Sequence, residues 1–285
     1  MENLENKETT AAEKAAETAS EKPSDEVKET EKPEEKKDET GNFAGFVLLS
    51  ETEADMNALS EELKKELGDS ASEVEVTDKT NVIANCGGAI VTLALMPAPV
   101  PDGEAEHYAK SNYMWREAEE TVKGHKAHII VGVVGDETAI NKGKLFVKAT
   151  CTCLKLSSAL ALYTDGAVYQ PRFYLDVSEA IKEDILPVLN WIWFGIYSDG
   201  TQSGIYTYGL KKFGKDELEV YAYGSNTDFN EIRNFTIDIA NYVLEGDVTL
   251  KDGQTIGLTA TQKCLITRSE GLALDGETLK IRYTS

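Results

Sequence analysis

Positive charge, histidine, cysteine and long apolar runs are all in short supply in this chain of 285 residues. Lysine and arginine number 29 against 50 aspartates and glutamates, giving a formal net charge of −21 and a pI near 4.6. Affinity for a phosphate backbone comes mostly from Lys and Arg, so general nucleic-acid binding is a poor fit. Anionic lipid headgroups would repel such a chain too, and no run reaches the ~18 apolar residues that span a bilayer. The four cysteines, Cys86, Cys151, Cys153 and Cys264, are few for this length. The opening MENLENKETTAAEK has no cationic start followed by an apolar stretch. The cysteines therefore read as reduced thiols, and the cytoplasm is the expected compartment. Neither Glu2 nor the terminal RYTS offers a lipidation signal. Familiar catalytic loops are missing as well. Gly200-Thr-Gln-Ser-Gly204 places its serine one position too late for a nucleophile elbow. No P-loop and no Gly-x-Gly-x-x-Gly after a strand occur, so no cofactor is expected.

What is present divides by composition. Residues 1–41 are mostly Glu, Lys, Thr, Ala and Pro; the first 40 carry fourteen acidic and seven basic side chains and no aromatic. Little apolar area is available there to offset the entropy of ordering, so a disordered Glu/Lys-rich tail is expected, solubilising or serving as a tether. Order should begin near Phe43 with the strand FAGFVLL. Thr52-Glu-Ala-Asp55 resembles a capping box before the stripe Met56, Leu59, Leu63, Leu67, which ends at Gly68. Glu73–Thr77 alternates like an edge strand, Asn81–Ala84 extends or pairs with it, and AIVTLALM reads as a central strand closed by Pro97, Pro99 and Pro101. A second helix is expected from Asp102 to Gly124, then the buried strand HKAHIIVGVV. This is a ferredoxin-like element order, which would place both helices on one face of an antiparallel sheet.

Beyond Ile140 a helical stripe runs through Phe146, Ala149, Cys153, Leu156 and Leu160. A hairpin turns at Asp165-Gly166, and Phe173–Ile181 reads as a short helix. Three aromatic strands follow in WIWFGIYS, GIYTYGL and LEVYAY. Asp228 should cap a helix burying Phe229, Ile232, Phe235, Ile239 and Val243, with short strands after it. The expected class is α+β: two packed α/β-sandwich halves, residues 42–138 and 139–285, with mostly antiparallel sheets of three or four strands each.

Candidate chemistry is sparse. His125 and His128 straddle the start of a strand, where residues three apart face opposite ways, so they make a poor chelate and no metal is expected. Cys151 and Cys153 lie about 200° apart on a helix, and Cys153 reads as a buried small hydrophobe. Cys86, before Gly87-Gly88, is the best nucleophile candidate, with His125 or His128 as base; the alternative is a glycine bulge entering a core strand. Glu217 and Glu219 alternate with Leu218 and Val220 and read as the solvated outer face of a strand. Trp191 and Trp193 should share one face of their strand, and Tyr206 and Tyr208 one face of theirs, either covered by helices or as an exposed aromatic patch.

Met96-Pro-Ala-Pro-Val-Pro101, His125-Lys-Ala-His-Ile-Ile-Val131, Tyr206-Thr-Tyr-Gly-Leu210 with Lys212-Phe-Gly-Lys-Asp-Glu-Leu-Glu219, and Asp252-Gly-Gln-Thr-Ile-Gly257 together resemble bacterial proteins carrying the domain of unknown function 4261, over about residues 43–283. That resemblance implies a bacterial source and one continuous α+β architecture, and supplies no catalytic residues. The layout also resembles small immunity modules of bacterial toxin systems, an analogy of fold alone. The leading expectation is a non-catalytic module binding a protein partner, for which the acidic body permits a basic one, with no nucleic acid or membrane involved. Trp115, His125, His128, Tyr208, Lys215 and Glu217 are its candidate surface. The alternatives are a hydrolase using Cys86 with His125 or His128, and a small-ligand-binding protein.

Overall fold

The periodicities translate into seven α-helices and thirteen strands among the residues described. The computed structural model describes residues 40–223 and 228–284; the expected tail therefore lies outside them, save for Thr40 and Gly41. In chain order the elements are β1 (Phe43–Leu49), α1 (Met56–Leu67), β2 (Glu73–Val76), β3 (Asn81–Cys86), β4 (Ala89–Met96), α2 (Glu104–Ala109), α3 (Ala118–Val122), β5 (Ala127–Gly135), α4 (Ala139–Leu154), β6 (Ala159–Thr164), β7 (Ala167–Tyr169), α5 (Pro171–Ser178), α6 (Val188–Trp191), β8 (Trp193–Ser198), β9 (Gln202–Tyr208), β10 (Leu218–Tyr223), α7 (Phe229–Glu245), β11 (Thr255–Ile256), β12 (Cys264–Glu270) and β13 (Glu277–Arg282). No described helix is long and apolar enough to cross a membrane.

The class is α+β, with sheets larger than expected. Seven antiparallel strands run β2-β3-β4-β5-β1-β6-β7, and six run β11-β12-β13-β10-β9-β8; only β10 and β13 pair in parallel. The β6–β7 hairpin turns on Asp165 and Gly166, both at positive φ. It extends the first sheet, which therefore draws strands from both sides of residue 139.

The ferredoxin-like element order does not become a ferredoxin-like sheet. In that unit the first strand lies between the third and the fourth. Here β4 and β5 pair directly, and β1 lies beyond β5. The helices also divide between the faces. Val47, Leu49, Val91, Leu93, Ile129, Val131 and Val133 face α1 and α4, whereas Leu48, Ala161, Tyr163 and Val168 pack under α2 and α3.

Local chemistry accounts for the helix boundaries. Asp55, not Thr52, caps α1: its carboxylate accepts from the N–H groups of Asn57 and Ala58, both at 3.0 Å. Leu59, Leu63 and Leu67 are almost fully buried, each stabilising by roughly 1.5–3 kcal/mol. The single helix expected after Asp102 is two short ones. Asn112 breaks it, because its Oδ1 accepts from the N–H groups of Met114 (3.0 Å) and Trp115 (3.1 Å) while its Nδ2 donates to the Val168 carbonyl at 2.6 Å. A side chain bonded to backbone in this way offers an alternative to the helical ladder.

Residues of the two sheets interlock. Phe43 meets the Phe213 ring edge-on at 5.5 Å, the Trp191 indole N–H donates to the Gly143 carbonyl at 3.1 Å, and Lys212 pairs with Asp165 at 2.6 Å. Trp191 ends α6 ahead of β8, so it does not share a strand face with Trp193. Across the ladder Tyr197 lies over Gly204 and Tyr206 over Gly195, where a larger residue would meet the ring.

Candidate functional site

Strand alternation and helix placement leave part of one face of the first sheet uncovered. The short helices α2 and α3 cover only the side of β1, β6 and β7. Register places Asn85, Ile90 and Val134 in one row, Ile83, Thr92, Gly132 and Ala44 in the next, and Asn81, Ala94, Ile130 and Phe46 in a third. Ile90 is 42% exposed, Val134 49% and Met96, beyond the third row, 43%. With strands ~4.8 Å apart and same-face residues ~7 Å apart, four strands and three to four rows present roughly 400 Å². Asn81, Asn85 and Thr92 lie among its apolar residues, so the face is mixed, with Ile90, Val134 and Met96 as its exposed large hydrophobics. Glu73 and Glu75, exposed on β2 beside Asn85 and Ile83, give it an acidic edge.

One end of this face is bordered by the proline loop, Met96–Pro101, whose residues 96–99 are exposed. Pro97, Pro99 and Pro101 have no N–H, so the loop offers few handles. Two histidines use them. His128 Nδ1–H donates to the Ala98 carbonyl at 2.8 Å. His125 Nε2 accepts from the Val100 N–H at 2.9 Å, which assigns the proton to Nδ1, 2.5 Å from the Val122 carbonyl. Both rings are buried. Burial holds the His128 pKa below its ordinary value, partly offset by the bond to Ala98. Phe46 stands edge-on to His128 at 5.4 Å and stacks on Tyr163 at 5.8 Å, fixing the border between open and covered face.

The residues picked out in the sequence fall in two places. Trp115, His125 and His128 belong to the first sheet and its α2–α3 cover, where Trp115 is half-buried. Tyr208, Lys215 and Glu217 lie at the β9–β10 connection. Tyr208 is 44% exposed, and Lys215 pairs with Asp247 at 2.6 Å. The expectation that Glu217 and Glu219 face solvent is corrected, since both are buried. Glu217 accepts from the Thr207 hydroxyl (2.7 Å) and from the N–H groups of Gly209 (2.8 Å) and Lys211 (3.1 Å). Burial still raises its pKa, the three bonds offsetting part of the effect. Glu219 accepts from the N–H groups of Leu272, Ala273 and Leu274, so the loop before β13 folds over it. These carboxylates are internal clamps. Alternation with Leu218 and Val220 correctly predicts opposite faces, but not the loop that covers the polar one.

The constellation of Cys86 with a histidine base is not assembled. Cys86 pairs with Ala89 at one end of β4, and His128 pairs with Met96 at the other, roughly 24 Å away at ~3.4 Å per residue. The two side chains also point to opposite faces. Burial raises the Cys86 thiol pKa, with Lys148 opposing, and pushes Cys151 up to about 11. Cys153 is fully buried in α4, as its stripe predicts. Among the described residues, no three His, Cys, Asp or Glu side chains group so as to hold a metal ion.

The fold and this surface define a mostly antiparallel α+β protein with a partly open sheet face and two buried-carboxylate clamps in its second sheet. The second sheet also carries a match to a known family model. Residues 206–282 match the family model described as Domain of unknown function (DUF4261). The match runs from the end of β9 through β13, including both clamps and α7. No curated protein and no solved structure matches the chain.

Proposed function

We propose that the protein is a non-catalytic, cytoplasmic bacterial binding module that docks a protein partner on the open face of its first sheet. The observation supporting this is the sheet face on which exposed Ile90, Val134 and the Met96–Pro99 border adjoin half-buried Ile83, Ala94 and Ile130. Its acidic edge and the chain's net charge of −21 select the partner's chemistry: an apolar patch rimmed by Lys and Arg. The same charge disfavours a second copy, because two such bodies repel each other. His125 and His128 act as positioning residues that hold the proline border in place. A toxin-neutralising role fits a basic partner of this kind.

The test is affinity capture from a native bacterial lysate with the wild-type chain and with an Ile90→Asp/Val134→Asp double variant. Both sites are exposed, so the variant keeps the wild-type melting temperature. A stoichiometric basic protein should be captured by the wild type, be released by salt and be lost from the variant. Retention by a folded variant would place binding elsewhere, and wild-type protein recovered bare would count against the proposal.

A further inference from the structure

On the opposite side of the first sheet, α4 forms the floor of a polar cavity of about 450 Å³. Its walls are Cys86 at the end of β3, Glu137 before α4, Asn141, Lys144 and Lys148 on α4, and Asp184 after α5. A second cavity of about 340 Å³ lies beyond Ile181 and shares Lys148 with the first. The charges around these spaces are nearly all matched. Lys144 pairs with Asp184 at 3.0 Å, Lys182 with Glu179 at 2.6 Å, and Lys155 with Glu66 at 2.6 Å. Glu137 accepts from the Asn141 amide at 2.9 Å. Lys148 is the exception. It is half-buried, it lines both cavities, and among the described residues no carboxylate pairs with it.

A half-buried lysine that lines two cavities in so acidic a chain marks a place for an exogenous anion. We propose that Lys148 anchors the oxyanion, carboxylate or phosphoryl, of a small aliphatic compound bound in this double cavity. The volume suits a small molecule. Neither cavity is lined by an aromatic ring, so neither offers a stacking surface for a nucleobase. The polar groups of Asn141 and Lys144 would orient the ligand body. None of the residues of the open sheet face takes part, so this site stands or falls separately from partner docking.

The test is thermal unfolding of the full chain in buffers of equal ionic strength containing chloride, inorganic phosphate or succinate at millimolar concentration. Phosphate or succinate should raise the midpoint by about 1–3 °C over chloride. Lys148→Gln should abolish that rise, and Lys123→Gln, at an exposed lysine just after α3, should leave it unchanged. A response to phosphate alone identifies a phosphoryl ligand, and a response to succinate alone a carboxylate. Absence of both responses, or a response that survives Lys148→Gln, overturns the proposal.

Discussion

Replacing Glu219 by alanine should destabilise the protein more than any surface change in the family-matched segment. Its carboxylate has no exposure. It accepts from the N–H of Leu272 at 2.8 Å, of Ala273 at 2.8 Å and of Leu274 at 3.2 Å, and lies 3.8 Å from the Lys280 ammonium. Lys280 itself donates to Ser269 and to the Glu270 carbonyl, so one carboxylate organises the whole 269–274 turn. Bonds to a charged acceptor contribute about 1.5–3 kcal/mol each. Their sum overstates the cost, because the freed loop can open and let water reach its amides. Removing one partner of a buried charged pair costs about 3–5 kcal/mol, which is the expected loss. For a body of this size that lowers the melting temperature by roughly 6–20 °C. Urea unfolding followed by tryptophan fluorescence gives the free energy, and hydrogen exchange reports the amides of residues 272–274. Glu219→Gln should fall between wild type and Glu219→Ala, since it keeps one acceptor oxygen. A loss below about 1 kcal/mol with the amides still protected would refute this account of the turn.

Other consequences concern single sites. Because burial depresses the His128 pKa, the unfolded chain takes up a proton there first as the solution is acidified. Stability should be level above about pH 6.5 and fall as pH drops from there through the folded pKa. Chemical denaturation from pH 7.5 to 5 should show this slope, His128→Gln should reduce it, and an identical slope in the variant would contradict it. Gly204→Ala would push a methyl group against the Val220 carbonyl oxygen and the Tyr197 ring. It should cost about 1–3 kcal/mol, and an unchanged urea midpoint would show that the ladder yields. Cys153→Ser buries a hydroxyl in place of a thiol at a fully enclosed position, for about 1–3 kcal/mol; an unchanged midpoint would argue against a tight site.

Much of the fold was legible because it is encoded locally. The stripe Met56, Leu59, Leu63, Leu67, the Asp165-Gly166 hairpin and the Asp228 cap each carry their signal within one element. The interruption at Asn112 was less legible, because its amide bonds to Val168, 56 residues away. Sheet order was hidden for the same reason: β1 inserts between β5 and β6, and no local pattern reports which strands meet. The candidate surface was hidden by its own composition. AIVTLALM and HIIVGVV are apolar on both faces and read as fully buried strands. Whether a helix covers the second face depends on where α2 and α3 dock, and both dock on that face only over β1, β6 and β7. The histidines drew notice as chemical residues. Their actual partners, Ala98 and Val100, are backbone groups between prolines that carry no side-chain signal.

The most direct test of partner docking is oxidative footprinting of the captured complex, read at two methionines. Met96 borders the open face and is 43% exposed; Met114, between α2 and α3, is 40% exposed. Their free-state reactivities should therefore be similar. The account predicts that the partner slows oxidation of Met96 several-fold and leaves Met114 unchanged. Equal rates at Met96 with and without partner, or protection at Met114 instead, would contradict it.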